Sequence, residues 1–184
     1  MNVLALDLAT HLGWAIGSPG MNRPRWGSFK LPSTGDNIGR FTLAFSVWLT
    51  GFIAEEPVDR IVMEATVLPD KTQRATLLKL YGLAIKVEEI GEGIGIGVSE
   101  VRIQSWRKHF LGRASAPPHF KGTDRRKWVK DQAIKSCARR GWLTDDDNEA
   151  DALGILDYSL CMLSPSYRAR TFSLQPQFFD KGAA

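Results

Sequence analysis

Three acidic residues interrupt apolar segments where a carboxylate is least comfortable. Asp7 follows the apolar run of "NVLALDLATHLGWAI", Glu64 closes "IVMEA", and Asp151 lies within "NEADALGILDY". A lone buried charge is costly unless it is paired or binds a metal. Converging carboxylates repel, and one keeps its proton unless a cation compensates. Mg²⁺ is the natural compensator, with Mn²⁺ as the alternative, because hard cations prefer oxygen ligands and Mg²⁺ keeps part of its water. Two such ions about 4 Å apart activate a water and stabilise the leaving oxygen of a phosphodiester. Asp147 and Asn148 precede Asp151 by four and three residues, spacings that share one helix face.

Plainer readings exist for each acid. A strand-end Asp often serves only a turn. "TDDDNEAD" suits a helix start, with Thr144 or Asp145 as the N-cap and the acids facing the helix dipole. That accounts for Asp145 and Asp146. It leaves Asp151, a turn or more inside an apolar helix, unexplained.

Particular elements must carry these residues together. Val3 to Leu8 reads as a strand, Gly13 to Gly17 as a second and Trp26 to Leu31 as a third. The short turns between them predict an antiparallel meander. "GDNIGRFTLAFSVWLTGFIAEE" has helical spacing, through Ile38, Phe41, Ala44 or Phe45, Trp48 and Phe52. "DRIVMEA" reads as a buried strand after a helix, which suits a parallel crossover. "TQRATLLKLYGLAIKVEEIGE" is a second helix, with Leu77, Leu78, Tyr81, Ala84 and Ile85 along one side and Gly91 or Gly93 as its end. "GIGIGVSEVRI" is a fifth strand. "SWRKHFLGRASAPPHFKGTDRR" reads as a loop, "RRKWVKDQAIKSCARRG" as a basic helix and "DDDNEADALGILDYSLCML" as the last helix. The order predicts an α/β layer fold of ribonuclease H-like type: a five-stranded mixed sheet, three strands in a meander plus two parallel, flanked by helices. If the first and fourth strands are neighbours and the last helix packs beside their ends, the acids converge.

The 184 residues suit one domain, expected over residues 1–163 with an irregular tail over 164–184. At 43% hydrophobic and 24% charged the composition is that of a soluble globular protein. No apolar run is long enough for a membrane span, and the N-terminus reads as a first strand rather than a signal peptide, so a cytoplasmic location is expected. Cys137 and Cys161 read as reduced core thiols. The net charge of +4 conceals a strong asymmetry: from Arg102 to Arg140 twelve Lys and Arg face only Asp124 and Asp131. Such a stretch on an acidic body suggests a polyanion-binding face, although a solvated basic helix has the same composition.

In "LALDLATHLGWAI", "IVMEA", "TLLKLYGLAI", "SEVRIQSWRKHFLG" and "NEADALGILDY", the chain resembles the RuvC-type Holliday junction resolvases, particularly divergent phage and prophage forms. The motifs run in family order from about Asn2 to Leu163. The resemblance implies a homodimeric, Mg²⁺-dependent endonuclease, in a bacterial or phage-infected cell, that nicks four-way or branched DNA symmetrically using two ions per active site. By position, Asp7, Glu64 and Asp151 are the implied metal ligands. The family's fourth catalytic position, Asp or His, is here Asn148, which is neutral and no base at pH 7. Asp147 or Glu149 are the substitutes, and helical spacing favours Asp147. Where the family places a stacking aromatic just after the fourth-strand acid, this chain has Thr66, Val67 and Leu68. Arg107, Lys108, Lys121, Arg125, Lys127 and Lys130 are the expected phosphate contacts. Trp106 and Trp128 are expected in packing rather than base stacking, and His109 and His119 as lone histidines on a basic loop. "TLLKLYGLA" matches the helix that packs across the family's two-fold axis, or else supplies an ordinary core face. Two further readings compete: a branched-DNA-binding protein without cleavage, and an actin-like phosphotransferase, for which the chain is short.

Overall fold

The structure is a computed structural model that describes residues 1–21, 23–66 and 73–168. Five strands form one sheet: β1 (Val3–Asp7), β2 (His11–Gly17), β3 (Arg25–Lys30), β4 (Arg60–Glu64) and β5 (Gly97–Val101). Their order is β3-β2-β1-β4-β5. The first three pair antiparallel, and β1–β4 and β4–β5 pair parallel. This is the mixed sheet that the sequence predicts.

Strand alternation divides the core in two. Leu4 and Leu6 of β1 and Ile61 and Met63 of β4 face one side, under α1 (Ile38–Glu55) and α2 (Arg74–Ile94). Val3, Ala5 and Val62 face the other, under α5 (Asp147–Leu163) and α3 (Ile103–Leu111), with α4 (Gly122–Arg139) packed outside. Because side chains alternate, Asp7 and Glu64 share the face of Ala5 and Val62 and so point towards α5.

Several boundaries differ from expectation. Helix α3 begins at Ile103, the end of the expected fifth strand, and takes up the start of the loop expected from Ser105; its Trp106 and Phe110 are buried against α5. Its apolar residues, Ile103, Trp106 and Phe110, repeat at helical intervals, and Gly112 ends it in the left-handed conformation with φ 78°. Helix α4 begins at Gly122 rather than Arg125. Helix α2 runs through Gly91 and Gly93 and stops at Gly95, whose φ of 73° forms the C-cap. Gly91 serves packing instead, since a Cβ there would lie 2.4 Å from the Val98 side chain of β5. The core face of α2 is Leu83, Ala84 and Val87, while Leu78, Tyr81 and Ile85 remain exposed.

Both cysteines are free and buried, as expected. Beyond α5, residues 165–168 form a helical turn, and Tyr167 packs on the α5 core. Val67, Leu68 and most of the tail expected over 164–184 lie outside the described residues. Among the described residues, no helix is long and apolar enough to cross a membrane.

Candidate active site

The acids meet at the C-terminal edge of β1 and β4. Leu6 pairs with Met63, so Asp7 and Glu64 end neighbouring parallel strands, about 5 Å apart in backbone spacing. Helix α5 crosses above them and supplies Asp151 and, one turn earlier, Asp147. The close approach of α5 depends on Gly13, the β2 partner of Asp7. A Cβ on Gly13 would come within 1.9 Å of the Asn148 carbonyl oxygen. Gly154 plays the same part for α3, because a Cβ there would press to 2.7 Å on the Trp106 ring.

The electrostatics are those of crowded, desolvated carboxylates. Burial pushes Asp7 well above the usual carboxylate range; Asp151 and Glu64 raise it further, Arg107 opposes them, and Asp147 adds to the rise. Burial likewise brings Asp151 up to about 7, with Arg107 lowering it and Glu64 and Asp147 raising it. Glu64 is raised by burial and held back by the Trp106 indole, whose Nε1–H donates to its carboxylate at 2.7 Å, and by Arg107. The Arg107 guanidinium stands 3.8 Å from Asp151, and Lys130 pairs with Asp147. One buried oxygen of Asp151 has no hydrogen-bond partner.

Oxygen donors, mutual repulsion and an orphaned carboxylate oxygen suit a hard divalent cation. Among the described residues, no three acidic, His or Cys side chains are drawn together as a single coordination sphere. The two observations are compatible. These carboxylates lie within electrostatic reach of one another, and Trp106 and Arg107 contact Glu64 and Asp151 respectively.

The first turn of α5 separates the residues around Asp151 by role. Asp146, rather than Thr144 or Asp145, is the N-cap, accepting from the Glu149 amide at 2.9 Å. The Asp145 amide in turn donates to the Glu149 carboxylate at 2.9 Å, so that carboxylate belongs to the cap. The Asn148 amide group lies 3.4 Å from His11 Nδ1, across β2. Asp147 is the neighbour whose charge reaches both Asp7 and Asp151.

Of the expected DNA contacts, Arg107, Arg125 and Lys130 line a cleft that reaches Asp151. Arg126, which sequence reasoning passed over, lines it as well. Lys108 lines a neighbouring groove, and Lys121 a third. Lys127 is exposed on α4 and does not line the cleft. His109 is no lone loop histidine: its Nε2 stands 2.9 Å from the buried Asp157 carboxylate, which also accepts from the Tyr167 hydroxyl at 2.6 Å. Trp106 is fully buried, as packing requires, and its bond to Glu64 is a role the sequence did not signal.

The fold is that of the Holliday junction resolvases. The structure of Thermus thermophilus RuvC matches with a TM-score of 0.58 at 14% identity, over 94% of this chain and 97% of that one. T. thermophilus RuvC in complex with a Holliday junction substrate matches with a TM-score of 0.63 at 15% identity, over 84% and 90%. The yeast mitochondrial Holliday junction resolvase Ydc2 matches with a TM-score of 0.62 at 12% identity, over 96% and 84%. No protein-family model and no curated protein sequence matches the chain.

Proposed function

We propose that this chain is a divalent-metal-dependent endonuclease that resolves four-way or branched DNA by paired symmetric nicks. What supports this reading is that Asp7, Glu64 and Asp147 each raise or share the charge environment of Asp151, which lines a cleft with Arg107, Arg125 and Lys130. Asp7, Glu64 and Asp151 would hold the metal, two Mg²⁺ or Mn²⁺ ions per site, with Asp147 rather than Asn148 or Glu149 as the fourth acid. Such a cation supplies the positive charge that lets the carboxylates ionise together and that stabilises charge developing on the phosphodiester oxygens. Arg125 and Arg126 bind flanking phosphates and orient the strand. Arg107 beside Asp151 partly offsets the charge of the acids. Trp106 fixes the Glu64 carboxylate so that it need not reorganise.

The exposed stripe of Leu78, Tyr81 and Ile85 on α2, beside Leu43 and Val47 on α1, supports a homodimer packed through these helices. A closed two-fold pair sets two sites at a fixed separation, which symmetric nicking requires. A nicking assay on four-way junction, fork and linear duplex tests the reading. With Mg²⁺, the native protein is expected to give paired nicks in the junction, and Asp7→Asn to bind the junction without cutting it. Equal cutting by Asp7→Asn and the native protein would overturn the mechanism. Binding by the native protein with no nick under Mg²⁺ or Mn²⁺ would favour a non-cleaving junction binder.

A further inference from the structure

The connection between α3 and α4 builds a second feature that the nuclease chemistry leaves unused. The Phe120 ring meets His119 at 4.3 Å between ring centroids and Trp128 at 6.2 Å, both at tilted angles, and also lines a cavity. The Arg113 guanidinium sits over the Trp128 ring at 5.7 Å from its centroid. Beside this group opens a cavity of about 430 Å³, walled in part by Pro117, Pro118 and Phe120 and edged by Lys121 and Arg125. That volume falls within the range of small-ligand sites, about 300–1,000 Å³. Gly122 and Arg125 line both this cavity and the cleft that reaches Asp151. The two hollows therefore adjoin across the first turn of α4.

The lining selects a kind of ligand. Proline and phenylalanine rings offer flat apolar surfaces, while Lys121 and Arg125 at the edge require anions. A flat ring that carries its own phosphate satisfies both demands. Stacking on an aromatic ring tolerates any base, because every base has a π face. A base inside continuous duplex has both faces covered by its neighbours. An unpaired base leaves the stack at least cost.

We propose that this cavity receives one unpaired nucleobase from the DNA strand whose phosphates cross Arg125 towards Asp151. The inference rests on the nuclease reading and adds to it the part of a branched substrate that the protein selects. Phe120 is the stacking surface, and Lys121 and Arg125 hold the adjoining phosphates.

The test uses the full chain without divalent metal, so that no strand is cut. Two duplexes of one sequence serve as probes, one continuous and one with a single unpaired 2-aminopurine. The native protein is expected to quench the 2-aminopurine and to bind the unpaired-base duplex about tenfold more tightly than the continuous one. Phe120→Ala loses both the quench and the preference, and Phe120→Tyr keeps them. Pro118→Asp, at an exposed wall position, loses them by placing a negative charge against the strand, and so serves even if Phe120→Ala fails to fold. Equal affinity of the native protein for both duplexes overturns the cavity assignment and leaves the nuclease reading standing. So does a preference that survives both Phe120→Ala and Pro118→Asp. Failure of the native protein to bind either duplex or a four-way junction overturns both.

Discussion

The two faces of the sheet are built from the same strands and differ in kind. On the α1–α2 side, Leu4, Leu6, Ile61, Met63, Phe41, Phe45, Leu49 and Leu83 form an apolar layer. On the α5 side, Val3, Ala5 and Val62 share their layer with Asp7 and Glu64, and α5 brings Asp151 and Asp157. Asp157 is answered locally: His109, Tyr167 and, at 3.5 Å, Arg140 surround its carboxylate and hold it below the usual carboxylate range despite burial. Asp7 and Asp151 are not answered in this way and lie above that range. The contrast separates a structural buried acid from acids kept for another partner. The first is surrounded by donors, and the others, on the proposed function, are the acids that a cation would neutralise.

The largest expected effect sets one face against the other. Glu64→Gln should reduce junction nicking by roughly 10³-fold, from several kcal/mol of lost charge stabilisation, with little change in melting temperature. Leu83→Ala on the opposite face should cost roughly 2–5 kcal/mol of stability and leave the Mg²⁺ concentration for half-maximal nicking unchanged. If Leu83→Ala shifts that concentration as much as Glu64→Gln does, the two faces are not separable.

Trp106→Phe has a smaller expected effect that spans both roles. It keeps an aromatic ring against Gly154 and removes only the donor to Glu64. Apparent metal affinity should fall by about 10- to 100-fold, as for other groups that orient ligands. A metal titration of nicking measures this, and an unchanged midpoint would mean that the indole only packs.

The smallest effect is in pH dependence. Raised carboxyl pKa values mean that the folded protein binds protons more tightly than the unfolded chain. Stability therefore falls as pH rises from the ordinary carboxylate range to about 7, where Asp151 titrates. Without metal, the melting temperature of the native protein should fall relative to that of Asp7→Asn between pH 5 and pH 8. Mg²⁺ should abolish the difference. Parallel pH profiles for the two proteins would show that Asp7 is not strained in the metal-free fold.

Much of the fold was legible because the strands carry it in short periods. The meander, the position of β4 and the acids at strand ends follow from alternation broken by a carboxylate. Helix α3 was hidden because its ends give no side-chain cap and a segment rich in Gly, Pro and basic residues follows directly. The pairing of His109 with Asp157 joins residues 48 apart, and the bond from Trp106 to Glu64 joins residues 42 apart. No local pattern encodes such contacts. The requirement for glycine at position 13 is equally invisible in a single chain, since it arises only where α5 meets β2. Asp147, by contrast, was readable from helical spacing alone, and the structure places its charge within reach of Asp151.

Calorimetric titration of the DNA-free protein with Mn²⁺ near pH 7.5 tests the gathering of these acids most directly. The native protein should bind the ion, and Asp7→Asn and Asp151→Asn should each weaken binding by at least tenfold while keeping their circular dichroism spectra. Indistinguishable Mn²⁺ binding by all three proteins, or none by the native protein, would contradict a metal site at the edge of β1 and β4.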